Sequence, residues 1–169
     1  FVNEASDINQ AREVLSESAS SINLIAKILW MDALKQLYWI IRAIDGIMVA
    51  RGDLSLQSGP GEWTGLQKNI IKQTVKCKKV VITATKMMES MISNPGPTRA
   101  EMNDVSNDVL DRTDAVMLSA ENAIGEYPVE NVQAMYEECK GAETYHQTIS
   151  GKDEFEYSEL QYVDNANAL

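Results

Sequence analysis

Gly46-Ile47-Met48-Val49-Ala50-Arg51-Gly52-Asp53-Leu54 is the stretch that decides the fold. A short apolar run ends abruptly in a cation, a glycine and an acid. A strand buried in a parallel sheet reads this way where it emerges at a working surface, because α/β folds gather their chemistry at the carboxyl ends of their strands. Reading Arg51-Gly52-Asp53 as a cell-adhesion tripeptide would need an exposed loop in a secreted chain, and no other feature of the sequence supports one.

Working outward, comparable apolar runs recur at Ile22–Ile28, Val80–Thr83 and Ala115–Leu118. Each is short, continuous and rich in β-branched residues or Met, as expected of strands buried on both faces. Helical patterns lie between them. Ile8, Ala11, Val14 and Leu15 form one inner stripe, and Leu66, Ile70, Ile71 and Val75 form another. Thr98 and Glu101 have capping-box spacing, which predicts a helix from there to about Leu110. Pro128 suits the first turn of a last helix with Val129, Val132 and Met135 facing inward. The alternation predicts right-handed βαβ units and a parallel sheet, either a barrel or a doubly wound sheet.

Composition narrows the function. The 169 residues are 44% hydrophobic, enough for a real core, and no apolar run is long enough to span a membrane. A net charge of −10 argues against nucleic-acid or anionic-membrane partners. Two cysteines, Cys77 and Cys139, are too few and too far apart for a disulfide scaffold or a metal knuckle, so a cytoplasmic setting is expected. The single His146 falls in a polar stretch and reads as solvated. No basic segment followed by an apolar one opens the chain, so no secretory leader is expected. Starting at Phe1 without an initiator Met, the chain reads as lacking its natural beginning. Residues after about Ala142 turn acidic with scattered aromatics. The chain therefore divides into an α/β unit over 1–142 and a linker, tail or start of another domain over 143–169.

Each strand ends in polar residues: Lys27; Arg51-Gly52-Asp53; Thr83-Ala84-Thr85-Lys86; and Ser119-Ala120-Glu121-Asn122. In a parallel sheet these ends share one rim. A lysine, an acid, hydroxyls and glycine backbone gathered there suit an anionic ligand bearing phosphate or carboxylate. Lys27 can stabilise developing negative charge or form a Schiff base, Asp53 can ligate a hard cation, and Thr85 can donate a hydrogen bond. The plainer readings are a lysine lying along the surface, a turn-forming Asp53, and hydroxyls that cap helices. Met87, Met88 and Met91 read as packing, and Trp30, Trp39 and Trp63 as core or interface residues.

The segments Asp45–Leu54, Thr83–Met91, Pro97–Glu101 and Asp114–Glu121, in this order and spacing, resemble pyruvate kinase, and most closely the bacterial type. The resemblance runs from Phe1 to about Ala142. It implies part of a (β/α)8 TIM barrel covering strands five to eight with their helices, and an enzyme that moves phosphoryl from phosphoenolpyruvate to ADP with Mg2+ and usually K+. By this resemblance Lys27 and Thr85 are catalytic. Ala50, Arg51, Gly52, Asp53 and Thr85 bind substrate, and Asp53 ligates Mg2+. The K+ site falls outside this chain, and the absent half-barrel predicts a homo-oligomer or pairing with a missing half. Departures stand out. Leu29 replaces the family's second Mg2+-binding carboxylate, and Lys86 replaces its glutamine. Ser55 replaces a glycine. Ala120, Asn122 and Ile124 replace Gly, Thr and Lys, while Asp108 and Arg112 stand where small residues are usual. The resemblance thus implies a weak or inactive isolated chain. The alternatives are a non-catalytic pseudoenzyme or interaction module, and a Schiff-base pyruvate lyase on the same barrel.

Overall fold

The computed structural model describes residues 2–15, 21–57 and 61–150; the side chains of 55–57 and 150 are not described. Four strands, β1 (Ile25–Ile28), β2 (Gly46–Ala50), β3 (Val80–Ala84) and β4 (Ala115–Met117), form one sheet in the order β1-β2-β3-β4. Every pairing is parallel, with Lys27 opposite Met48, Met48 opposite Ile82 and Ile82 opposite Ala115. The α/β class and parallel sheet match the sequence expectation. The first strand starts later than Ile22, at Ile25.

Helix α1 (Ala5–Leu15) precedes β1, and two short helices, α2 (Met31–Lys35) and α3 (Leu37–Ala43), connect β1 to β2. After β2 come α4 (Arg51–Gln57) and α5 (Trp63–Lys76); after β3, a 3₁₀ turn (Glu89–Ile92) and α6 (Arg99–Leu110); after β4, α7 (Ala120–Ala123) and α8 (Pro128–Ser150). Each parallel crossover needs such helices, since a tight turn cannot return the chain to the same edge direction. The predicted capping box opens α6: Thr98 accepts a hydrogen bond from the Glu101 amide, and Glu101 accepts one from the Thr98 amide at 2.8 Å. Glu101 also accepts from the Ser90 amide (2.8 Å) and hydroxyl (2.5 Å), tying the 3₁₀ turn to the helix.

One sheet face is covered. Ala26, Ile28, Ile47, Val49 and Val81 alternate onto it and pack with Ile40, Ile41, Ile70 and Ile71 of α3 and α5. Burying each Val or Ile side chain there contributes roughly 1.5–3 kcal/mol. The opposite face is half open. Ile25 is 47% and Val80 48% exposed, and Lys27, Met48 and Ile82 are only partly buried. The expectation of strands buried on both faces therefore holds for one face, because among the described residues no second layer covers the other.

A second core forms around Met87, Met88, Met91, Val105 and Met135, as the packing reading of the methionines expected. Several predicted inner positions face outward instead: Val14 is 84%, Val129 73% and Val132 50% exposed. The periodicity found the helices, but neighbouring elements decide which stripe is inside. Trp30 (44% exposed) and Trp39 (59%) are not core residues. Helix α8 passes through residue 142 without a break, and His146 is a partly buried residue on it, not part of a tail. Residues 151–169, where most of the expected linker falls, lie outside the described residues. Among the described residues no helix is long and apolar enough to cross a membrane.

Candidate active site

The carboxyl ends of β1, β2 and β3 meet on one rim. Lys27 projects from the half-open sheet face, and its Nζ lies 3.7 Å from Asp53 Oδ2 on the first turn of α4. Both side chains are partly exposed (35% and 52%), so the pair can be reached by a solute. The Gly52 amide donates to Thr85 Oγ1 at 3.0 Å, which joins the turn after β2 to the loop after β3. Ala50, the last residue of β2, is fully buried opposite Ala84 and anchors that turn.

Thr85 (φ 69°) and Lys86 (φ 55°) are consecutive residues in the left-handed region. Non-glycine residues there store strain that the surrounding structure must hold, a condition common at working sites. The conformation brings this loop over Gly52. A Cβ on Gly52 would stand 3.3 Å from Thr85 Oγ1 and 3.6 Å from Lys86 Cε, so the glycine leaves room for this close approach.

Arg51 does not face this rim with its side chain. It is buried, with ion pairs to Asp104 and to Asp108 (2.7 Å), both on α6, and its guanidinium lies 5.8 Å from the Trp63 ring. Gln67 donates a further hydrogen bond to Asp108. Burial pushes the Asp108 carboxyl above its ordinary range and outweighs the opposing pull of Arg51, which is shared with Asp104. The arginine of the turn is thus a structural tie between α4 and α6. Sequence reasoning missed this tie; the acid at Asp108, which the resemblance marks as a departure, was its available signal.

The fourth strand end is also spent internally. Glu121 is buried and accepts from the amides of Ser119 (2.7 Å) and Met88 (3.4 Å), while Asn131 donates to Asn122. Of the four polar strand ends, three build the accessible rim: Lys27, Gly52 with Asp53, and Thr85 with Lys86.

These residues offer a Mg2+ ion one carboxylate, Asp53. Asp53 already faces Lys27, and Leu29 is apolar and only 6% exposed. Among the described residues no three His, Cys, Asp or Glu side chains gather where they could hold a metal. Mg2+ takes one or two carboxylates together with substrate phosphate oxygens and water, so Asp53 would supply one protein ligand of such a shell and Leu29 none.

The match to known proteins covers this rim. A family model described as pyruvate kinase, barrel domain, matches residues 1–132. A pyruvate kinase of Buchnera aphidicola subsp. Baizongia pistaciae is 51% identical over 146 residues, 85% of this chain and 30% of that protein. One from Haemophilus influenzae is 49% identical over 146 residues, with the same shares. The crystal structure of a pyruvate kinase from Cryptosporidium parvum superposes with a TM-score of 0.82 at 42% identity, covering 85% of this chain and 31% of that one. The chain therefore spans about 30% of the length of these relatives. Over most of its length, and across all three strand ends that build the rim, the chain belongs to the pyruvate kinase family.

Proposed function

We propose that this chain is the substrate-holding part of a phosphotransferase that moves phosphoryl between phosphoenolpyruvate and ADP, giving pyruvate and ATP, as in glycolysis. The observation that carries this reading is the rim itself, where Lys27, Asp53, Gly52 and Thr85 converge. Phosphoryl transfer asks a protein chiefly for positioning and charge neutralisation. In this reading Lys27 neutralises charge on the transferring group. Ala50, Arg51 and Gly52 offer backbone to the substrate, and Thr85 borders the carbon that gains a proton as the enol becomes pyruvate. Asp53 would offer Mg2+ its one carboxylate here, a site weakened by apolar Leu29, while K+, which the family also uses, would be held by residues outside this chain.

The architecture proposed is strands five to eight of a (β/α)8 barrel, with residues 1–142 as the barrel portion and 143–169 leading onward. The half-open sheet face and the two outer strands, β1 and β4, support it: in a barrel that face is the interior and both strands have neighbours. The chain would then work in the cytoplasm beside the rest of a barrel, or as an oligomer. Alone it should turn over little or no substrate.

The test is calorimetric titration of phosphoenolpyruvate into the chain and into Lys27→Ala. Binding that falls at least tenfold in the variant is expected. An intact, folded chain that shows no binding under any condition would overturn the reading. A second reading, a non-catalytic binding module, is favoured by buried, apolar Leu29, which leaves Asp53 as the one carboxylate for Mg2+. It predicts that phosphoenolpyruvate binds but that no pyruvate forms even when the remaining part of a relative is supplied in trans. A Schiff-base lyase would use Lys27 as nucleophile, yet that amine faces Asp53. Borohydride with pyruvate is expected to leave no adduct.

A further inference from the structure

A second group of cations gathers at the amino end of the sheet, where α5 and α6 finish. Lys72, Lys76, Lys78, Lys79 and Arg112 line two adjoining grooves, of about 380 and 520 Å³, that share Val75 and Arg112. Lys68, also in the larger groove, is held by Asp111 at 2.5 Å. The other five make no ion pair among the described residues. The acids in reach are Asp111, Asp114, whose carboxylate accepts the Val81 amide, and Glu143, which lines the next groove beyond Arg112. Asp45, which lies in the field of Lys79, is already paired with Arg12. Six cations against three acids leave three positive charges, in a chain whose net charge is −10.

Helix ends account for part of this excess. Each helix carboxyl end carries roughly half a negative charge, so α5 and α6 together answer about one of the three. Backbone geometry singles out the same groove. Lys78 (φ 55°) and Arg112 (φ 71°) each follow the capping residue of a helix, in the left-handed region that favours glycine. Both helices close alike: the Lys79 amide donates to Thr74 O and the Thr113 amide to Asp108 O, each at 3.2 Å. Glycine would close both turns at lower cost. Instead both positions carry a long cation, and both cations line the smaller groove.

We propose that this groove is a second anion site, for a small ligand bearing two or more linked phosphates. It lies at the opposite end of the strands from the rim and is independent of the phosphoenolpyruvate reading. Lys72 and Lys76 are exposed and one helical turn apart on α5, about 6 Å along its axis. Lys78 and Arg112 are fixed at their backbones by the two helix-closing turns. Cations spread in this way meet several oxyanions of one ligand, where a single phosphate would meet only some of them. Grooves of this size suit a small molecule. The strongly negative chain repels a long polyanion, which favours a small ligand over a nucleic acid.

The experiment is titration of inorganic tripolyphosphate into the whole chain in EDTA, with Lys27→Ala, the double variant Lys72→Gln/Lys76→Gln, and Arg112→Gly alongside. Binding should persist in Lys27→Ala and fall about tenfold in the double variant. It should weaken as salt rises and be roughly tenfold tighter than that of inorganic phosphate. Arg112→Gly should bind severalfold more weakly without losing stability to urea, because glycine suits the left-handed turn. Three outcomes would overturn the inference: no binding of tripolyphosphate, binding lost in Lys27→Ala but kept in the double variant, or binding that weakens in Arg112→Gly only together with stability. None of them bears on the rim, which is titrated separately with phosphoenolpyruvate. The substituted groove residues are exposed, so these variants should fold, and circular dichroism checks that each protein titrated is native.

Discussion

The two ends of the sheet are built from the same residue types to opposite effect. At the amino end, Asp45 and Asp114 stand immediately before β2 and β4, and each makes a two-bond clasp, Asp45 with Leu24 just before β1 and Asp114 with Val81 of β3. Asp45 donates its amide to Leu24 O (2.9 Å) and accepts the Leu24 amide on Oδ2 (2.7 Å). Asp114 donates to Val81 O (2.9 Å) and accepts the Val81 amide (2.8 Å). At the carboxyl end, Asp53 makes no such clasp among the described residues; it faces Lys27 and solvent, beside two residues in strained backbone. Aspartates whose oxygens are taken up by backbone donors lock strand starts in register, while one left facing a cation can meet a ligand. This division between a stabilising face and a working face is the one expected of parallel α/β architectures.

Arg51 complicates that division, since it anchors the working end from below. Removing it should break the comparison most severely. Arg51→Ala leaves Asp104 and Asp108 facing each other without their cation, and a buried pair that loses one partner costs about 3–5 kcal/mol. Urea denaturation at neutral pH measures this. A loss below about 1 kcal/mol would mean the network is not structural. Lysine should not rescue the variant, because it lacks the planar fork that reaches two carboxylates at once. Next in size comes the amino end. Asp114→Ala strips the Val81 amide of its charged acceptor and should cost about 1–3 kcal/mol while leaving phosphoenolpyruvate affinity unchanged. A drop in affinity would show that the two ends are coupled.

The parts legible in the sequence were those decided locally. Thr98 and Glu101 sit three apart, and the capping box they announce depends on nothing distant. The four apolar runs became the four strands, and the polar residues following three of them became the rim. What sequence could not show was set by distant partners. Arg51 read as part of a substrate turn, but its acids lie 53 and 57 residues away, and only the packing of α6 brings them in. Val129 and Val132 had helical spacing, yet which stripe of α8 is inside depends on the elements beside it. Leu29 was legible as a departure, while Lys86's place against Gly52 needed the positive φ angles that no spacing reveals.

Gly52→Ala sharpens the contrast at smaller cost. The new Cβ would meet Thr85 Oγ1 at 3.3 Å, closer than usual for such a contact, and that oxygen is held by the Gly52 amide. Crowding of this kind costs about 1 kcal/mol or more, but alanine in place of glycine within α4 returns about the same amount in helix propensity. Stability by denaturation should therefore change by less than about 1 kcal/mol. Anion affinity should still fall severalfold, because Thr85 and Lys86 must shift. A large stability loss with affinity intact would reverse the roles assigned to this glycine.

The finest test sets the two ends against each other by pH. The backbone hydrogen bond from Leu24, aided by Arg12, holds the Asp45 carboxyl below its ordinary range. Its contribution is present above the unfolded value of 3.8 and is lost as pH falls through the lower folded value. Asp108 runs the other way. Burial raises it, so between 3.8 and its raised value the folded chain holds a proton that the unfolded chain releases. Stability therefore declines as pH climbs through that window. Asp45→Asn should flatten the acid limb of the stability curve by less than about 1 kcal/mol, since the carboxylate is a third exposed and partly screened. Asp108→Asn should flatten the limb just above it while keeping an oxygen for Arg51. Denaturation from pH 2.5 to 7 resolves the two. Changes of the same sign in both variants would mean that the acids at the two ends do the same work, which their hydrogen-bond partners deny.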